Sequence, residues 1–196
     1  MRRFSFRPGL EIRGRKFKWF RGFAGKPFHP PLTDVTIGAY FIGPLLGLVA
    51  YLFKDSSWAE DVHKAAGHVI LLGAISSVAT MGTGWADWFN TTKGTQMRRM
   101  ANAHAWTMIV TGIVVLVSLW YRHFAEGGEY YVEPDVIGAL LNLVILGLVT
   151  IGGTLGGSLT YDWGFNVEIA TDNPVYHQSE RDIIHPHDAP PPDIGP

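Results

Sequence analysis

No cysteine occurs among the 196 residues, which excludes disulfides, iron–sulfur ligation, Cys-based zinc sites and c-type haem attachment. A second absence is more informative. Val35–Phe53, Ala65–Ala86, Ala105–Tyr121 and Val136–Tyr161 contain no Asp, Glu, Lys or Arg. No apolar h-region precedes Val35, so the basic start of the chain is not expected to be a cleavable signal peptide. There is no G-x-S-x-G, P-loop, H-E-x-x-H or Rossmann fingerprint, and the chain is not expected to be an enzyme.

What is present in those uncharged stretches is hydrocarbon. About twenty residues at a 1.5 Å rise cross a roughly 30 Å apolar core, and in lipid the backbone must satisfy its own hydrogen bonds. Each stretch is therefore expected to be a transmembrane helix. The fold class expected is an all-α membrane protein, an antiparallel bundle of four transmembrane helices over residues 29–167. A basic, aromatic-rich segment over 1–28 precedes it and an acidic, Pro-rich tail over 168–196 follows. The mean hydropathy of +0.11 understates the bundle because the two tails dilute it.

The net charge of −1 is a cancellation. Nine of the sixteen Lys/Arg lie in Met1–Lys26, and seven of the seventeen Asp/Glu lie in Asp162–Pro196. Lys93, Arg98 and Arg99 in the second loop share a side with the basic start, so the Lys/Arg excess places both termini in the cytoplasm of a bacterial inner membrane. The run Arg13–Phe23 interleaves cations with Phe17, Trp19, Phe20 and Phe23, a composition suited to anionic headgroups rather than to nucleic acid. Asp188–Pro196 cannot bury a core and suits extended, polyproline-like structure.

Local signals refine the bundle. Thr33 or Asp34 is a plausible N-cap for the first helix, and Pro44 should kink it. Helix two carries Gly67, Gly73, Gly82 and Gly84. Helix four carries Gly147, Gly152, Gly153, Gly156 and Gly157, with two overlapping G-x-x-x-G pairs. Small residues at that spacing let helices pack closely in lipid, so helices two and four are expected to touch.

Ionisable residues at a membrane rim are functional hypotheses. His29, Asp87, His104 and Asp162 come from four helix ends on the side of the termini and are expected to converge there. As a set they could ligate a divalent metal; His29 and His104 could instead bind a b-type haem axially or a quinone headgroup. Helix capping without any cofactor is the plain alternative. At the opposite rim, His68 and His123 are a weaker candidate pair beside His63. With no charge inside any expected span, a transporter with a midplane site is disfavoured. The H-P-H of His185–His187 could bind stray metal.

His29–Gly38 (H-P-P-L-T-D-V-T-I-G), Gly84–Trp88 (G-W-A-D-W), Arg98–Ala105 (R-R-M-A-N-A-H-A) and Gly152–Tyr161 (G-G-T-L-G-G-S-L-T-Y) together resemble domain-of-unknown-function family 2231, four-helix bacterial membrane proteins. The resemblance covers His29–Val167. It implies a redox-associated membrane role, since some members are fused to or encoded beside Rieske-type proteins. That family's last helix typically ends in Y-R-H-G, whereas Tyr161–Gly164 reads Y-D-W-G, which puts any carried-over ligand set in doubt. The expected role is a non-catalytic subunit of a larger respiratory or photosynthetic electron-transport complex. It would contact lipid and other membrane subunits through glycine-rich helix faces and both tails. The rival is a redox protein holding haem, metal or quinone at the rim of the termini.

Overall fold

The computed structural model describes residues 4–5, 11–12, 21–22, 27–124 and 133–165. Apart from Arg21 and Gly22, the basic aromatic run lies outside them, as do the 168–196 tail and its His185–His187. Near the start of the chain β1 (Phe4–Ser5) pairs antiparallel with β2 (Glu11–Ile12). Four helices follow: α1 (His29–Leu52), α2 (Ala59–Phe89), α3 (Gln96–Phe124) and α4 (Val136–Tyr161). All four are long and apolar enough to cross a membrane. They run up and down, so α1 starts and α4 ends on one side, called here the tail side; the other is the far side.

The helices reach beyond the uncharged stretches, because a transmembrane helix continues through the headgroup region where charge is tolerated. α2 takes in Glu60, Asp61 and Lys64 at its start, with Glu60 paired to Lys64, and α3 begins at Gln96 rather than near Ala105. α1 begins at His29, with Phe28 as N-cap and prolines in its first turn; the expected cap at Thr33 or Asp34 is not used. Proline lacks the amide hydrogen that a first turn leaves unsatisfied anyway, so Pro30-Pro31 starts the helix more cheaply than a capping side chain further on. α4 starts conventionally, with Asp135 accepting from the Gly138 amide at 2.7 Å. It ends at Tyr161, and just beyond it Gly164, at a φ of +55°, lets the Phe165 amide bond back to Leu159 O at 2.9 Å.

Around the bundle the order is α1, α2, α3, α4. The most extensive seam is α1–α2, then α3–α4 and α1–α4, with α2–α3 the thinnest. α2 and α4 are diagonal, so the expected contact between them is not made. Their glycines instead receive large side chains from α1 and α3. Gly73 faces Tyr40, Gly84 faces His29, Gly152 faces Met108 and Gly156 faces His104. The order around the bundle puts α1 and α3 beside these faces, and the bare backbone leaves room for a ring or thioether to lie against it.

Tyr40, Ile70, Val115, Ile145 and Val149 fill the middle as one buried apolar layer. Outward, α2 shows Leu72, Ile75, Val78, Met81, Trp85 and Phe89, and α3 shows Trp106, Val110, Ile113, Leu116 and Trp120, all exposed. Such faces suit lipid rather than water. Aromatic pairs mark both rims, Trp85–Trp88–Phe89 on the tail side and Trp120–Phe124 and Phe53–Trp58 on the far side.

Candidate functional site

On the tail side, two diagonal helices bring their histidines together. His29, first residue of α1, and His104, in the third turn of α3, have ring centroids 6.3 Å apart and planes at 79°. Each ring is held by the helix beside it. His29 Nδ1 donates to Thr80 O at 3.0 Å, and Thr83 Oγ1 lies 3.3 Å from the same nitrogen. His104 Nδ1 donates to Gly152 O at 2.8 Å. Because a carbonyl oxygen only accepts, Nδ1 must carry the proton in both rings, and in a neutral imidazole the lone pair is then on Nε2.

Glycine makes both placements possible. A Cβ at Gly84 would stand 2.5 Å from His29 Cε1, and one at Gly156 would stand 3.0 Å from His104 Cε1. Beneath His29 a hydroxyl cluster joins α1 to α2: Thr36 Oγ1 lies 2.9 Å from both Ser76 Oγ and Thr80 Oγ1. It fixes the register of Thr80, whose carbonyl orients His29.

The other two residues expected here do not complete a ligand set. Asp87 is buried, 4% exposed, and is bonded by Arg21 Nε at 3.5 Å. Asp162 follows α4 as its C-cap and is exposed. Among the described residues no three His, Asp or Glu are grouped closely enough to hold a metal ion. Asp87 is instead engaged by Arg21, and Asp162 sits outside the bundle as an exposed helix cap. The adjacent loop is fixed separately. Arg98 lies 3.6 Å over the Trp88 ring and donates to Trp88 O and Thr91 Oγ1 at 2.8 and 2.7 Å, while Trp88 Nε1 donates to Asn102 Oδ1 at 2.8 Å.

On the far side the expected pair does not form. His68 is exposed and donates to Lys64 O at 2.9 Å, and His123 stands edge-on to the Phe124 ring. The histidine that enters the bundle is His63. Its Nε2 accepts from Arg122 Nη1 at 2.9 Å, and both residues are 4% exposed. Asn142 of α4, 1% exposed, reaches the same place beside Gly47 of α1. Arg122, in the last turn of α3, is buried although it stands just past the expected span. The sequence signal was weak because a cation directly after an uncharged run reads as a loop residue.

Four apolar helices in an up-and-down bundle, with polar side chains gathered near both ends, define a multi-pass membrane protein. Residues 25–169 match the family described as Predicted membrane protein (DUF2231), and the chain belongs to that family. No curated protein and no solved structure was found to match it.

Proposed function

We propose that this chain is a subunit of a bacterial electron-transport membrane assembly, respiratory or photosynthetic, that holds one metal centre between His29 and His104. The observation that carries this reading is the His29–His104 pair with both Nδ1 protons given to backbone carbonyls. An outer hydrogen bond of that kind is what orients an imidazole and raises its basicity as a ligand. His29 and His104 would hold such a centre through their Nε2 lone pairs, and ring centroids 6.3 Å apart are near enough for both to reach one metal atom.

Haem iron and a bare transition-metal ion share this chemistry. A quinone headgroup suits the pair less well, because its carbonyl oxygens need donors and the neutral rings have lone pairs left to offer. The Lys/Arg distribution favours both termini in the cytoplasm of the inner membrane. Replacing Lys93 and Asp55 separately by cysteine in this cysteine-free chain would test that: only Lys93→Cys should be shielded from an impermeant thiol reagent added outside.

The metal reading is tested by a reduced-minus-oxidised visible spectrum and elemental analysis of the protein purified in mild detergent. A Soret band identifies haem, and about one metal per chain without a Soret band identifies a bare ion. Either should vanish in His104→Ala. A colourless, metal-free wild type that co-purifies with other membrane subunits would replace this reading with a scaffolding subunit, the histidines then serving only to join helices.

A further inference from the structure

The far-side cluster draws on all four helices and is not used by the reading above. Gly47 of α1, His63 and Gly67 of α2, Arg122 of α3 and Asn142 of α4 meet there, with buried Ser118 one turn before Arg122 on α3. Gly47 lies five residues before the end of α1, and Asn142 six residues after the start of α4. Both are thus roughly 8 Å inside the helix ends, below the rim and within the bundle.

The hydrogen-bond chemistry of this cluster is one-sided. Arg122 can only donate, so its contact with His63 Nε2 leaves the His63 proton on Nδ1. That Nδ1–H is buried and has no hydrogen-bond partner among the described residues; neither does Ser118 Oγ nor either amide atom of Asn142. Asn142 and Ser118 are each 1% exposed. Asn142 Nδ2 and Arg122 Nη2 also crowd one spot on α1: a Cβ at Gly47 would clash with the first and lie 3.1 Å from the second. Donors from three helices are thus gathered against a bare stretch of the fourth, in a low-dielectric surround that makes unmet donors expensive.

We propose that this cluster is a binding site for a small inorganic anion, with a halide as its simplest occupant. An acceptor-only ion answers the donors of His63, Asn142 and Ser118, and the Arg122 guanidinium favours negative charge beside it. The Asn142 amide and the Arg122 guanidinium already fill the space beside Gly47, so a lipid phosphate or a larger carboxylate does not reach the cluster. Water is the competing occupant, because it could also serve the Asn142 amide oxygen.

The test uses the full chain in mild detergent, titrated from sodium gluconate into sodium chloride or bromide at constant ionic strength, so that general screening is unchanged. The wild-type unfolding midpoint should rise by a few degrees and saturate, as single-site binding requires. Asn142→Leu should abolish the response, whereas His104→Ala, which removes only the tail-side pair, should keep it. No halide response in the wild type, or an equal one in Asn142→Leu, would overturn the proposal. Crystals of the wild type grown in bromide decide the matter even if Asn142→Leu fails to fold. An anomalous peak beside Asn142 and His63 supports the site, and water alone there refutes it.

Discussion

On the tail side, His29 and His104 give their Nδ1 protons to backbone carbonyls and keep lone pairs on Nε2, whereas on the far side Arg122 donates to His63 Nε2 and leaves the proton on Nδ1. The same residue type therefore offers a Lewis base at one end of the bundle and a hydrogen-bond donor at the other. In each case the neighbour decides: a helix carbonyl can only accept and a guanidinium can only donate. The two regions are kept apart by the apolar layer of Tyr40, Ile70, Val115, Ile145 and Val149.

The sharpest way to break this comparison is one substitution made at both ends. Gly47→Val forces a side chain into the Asn142 amide and the Arg122 guanidinium, both locked in the interior, and should destabilise the bundle by about 3 kcal/mol in a detergent unfolding titration. Gly84→Val meets only the His29 ring, which stands at the mouth of the bundle and can swing outward. It should cost about 1 kcal/mol, yet, if the proposed metal centre is there, abolish its signal as completely as His104→Ala does. Equal stability losses at the two glycines would mean that both ends are merely structural packing.

Asn142→Leu comes next. It replaces an unpartnered buried amide with an apolar side chain of similar size, so in halide-free buffer it should raise stability by about 1 kcal/mol. A loss instead would show that the amide has a partner in the empty state. Thr36→Val removes a hydroxyl bonded to Ser76 and Thr80 and should cost about 0.6 kcal/mol, near the average for interhelical hydrogen bonds in membranes. Its measurable consequence beyond stability should be weaker metal retention, because the register of Thr80 orients His29.

Glycine shows where reading the chain stops short. The G-x-x-x-G spacing in α4 points to close packing of a neighbouring helix, but spacing cannot say which helix or which side chain comes against it. The structure puts Met108 and His104 there, and it puts Tyr40 and His29 on the glycines of α2. Arg122 shows the converse. It follows an uncharged run, so its neighbours in sequence give it the character of a loop residue, and only the approach of the other helices, with Gly47 of α1 and His63 and Gly67 of α2 against it, buries it. Asp87 and Asp162 belong to the tail-side rim by sequence, but among the described residues no three His, Asp or Glu are grouped closely enough for a metal ion.

The sequence by itself determined that this chain spans a membrane four times and which side of the bundle each helix end occupies. Both follow from residue-by-residue transfer energies and a fixed helical rise, which depend on no partner. Tertiary structure alone decided which helices are neighbours and which are diagonal. It thereby decided that His29 meets His104, that Asp162 stays outside, and that Arg122 dictates where His63 carries its proton. Those outcomes depend on the rotation of each helix about its own axis, which packing between helices sets.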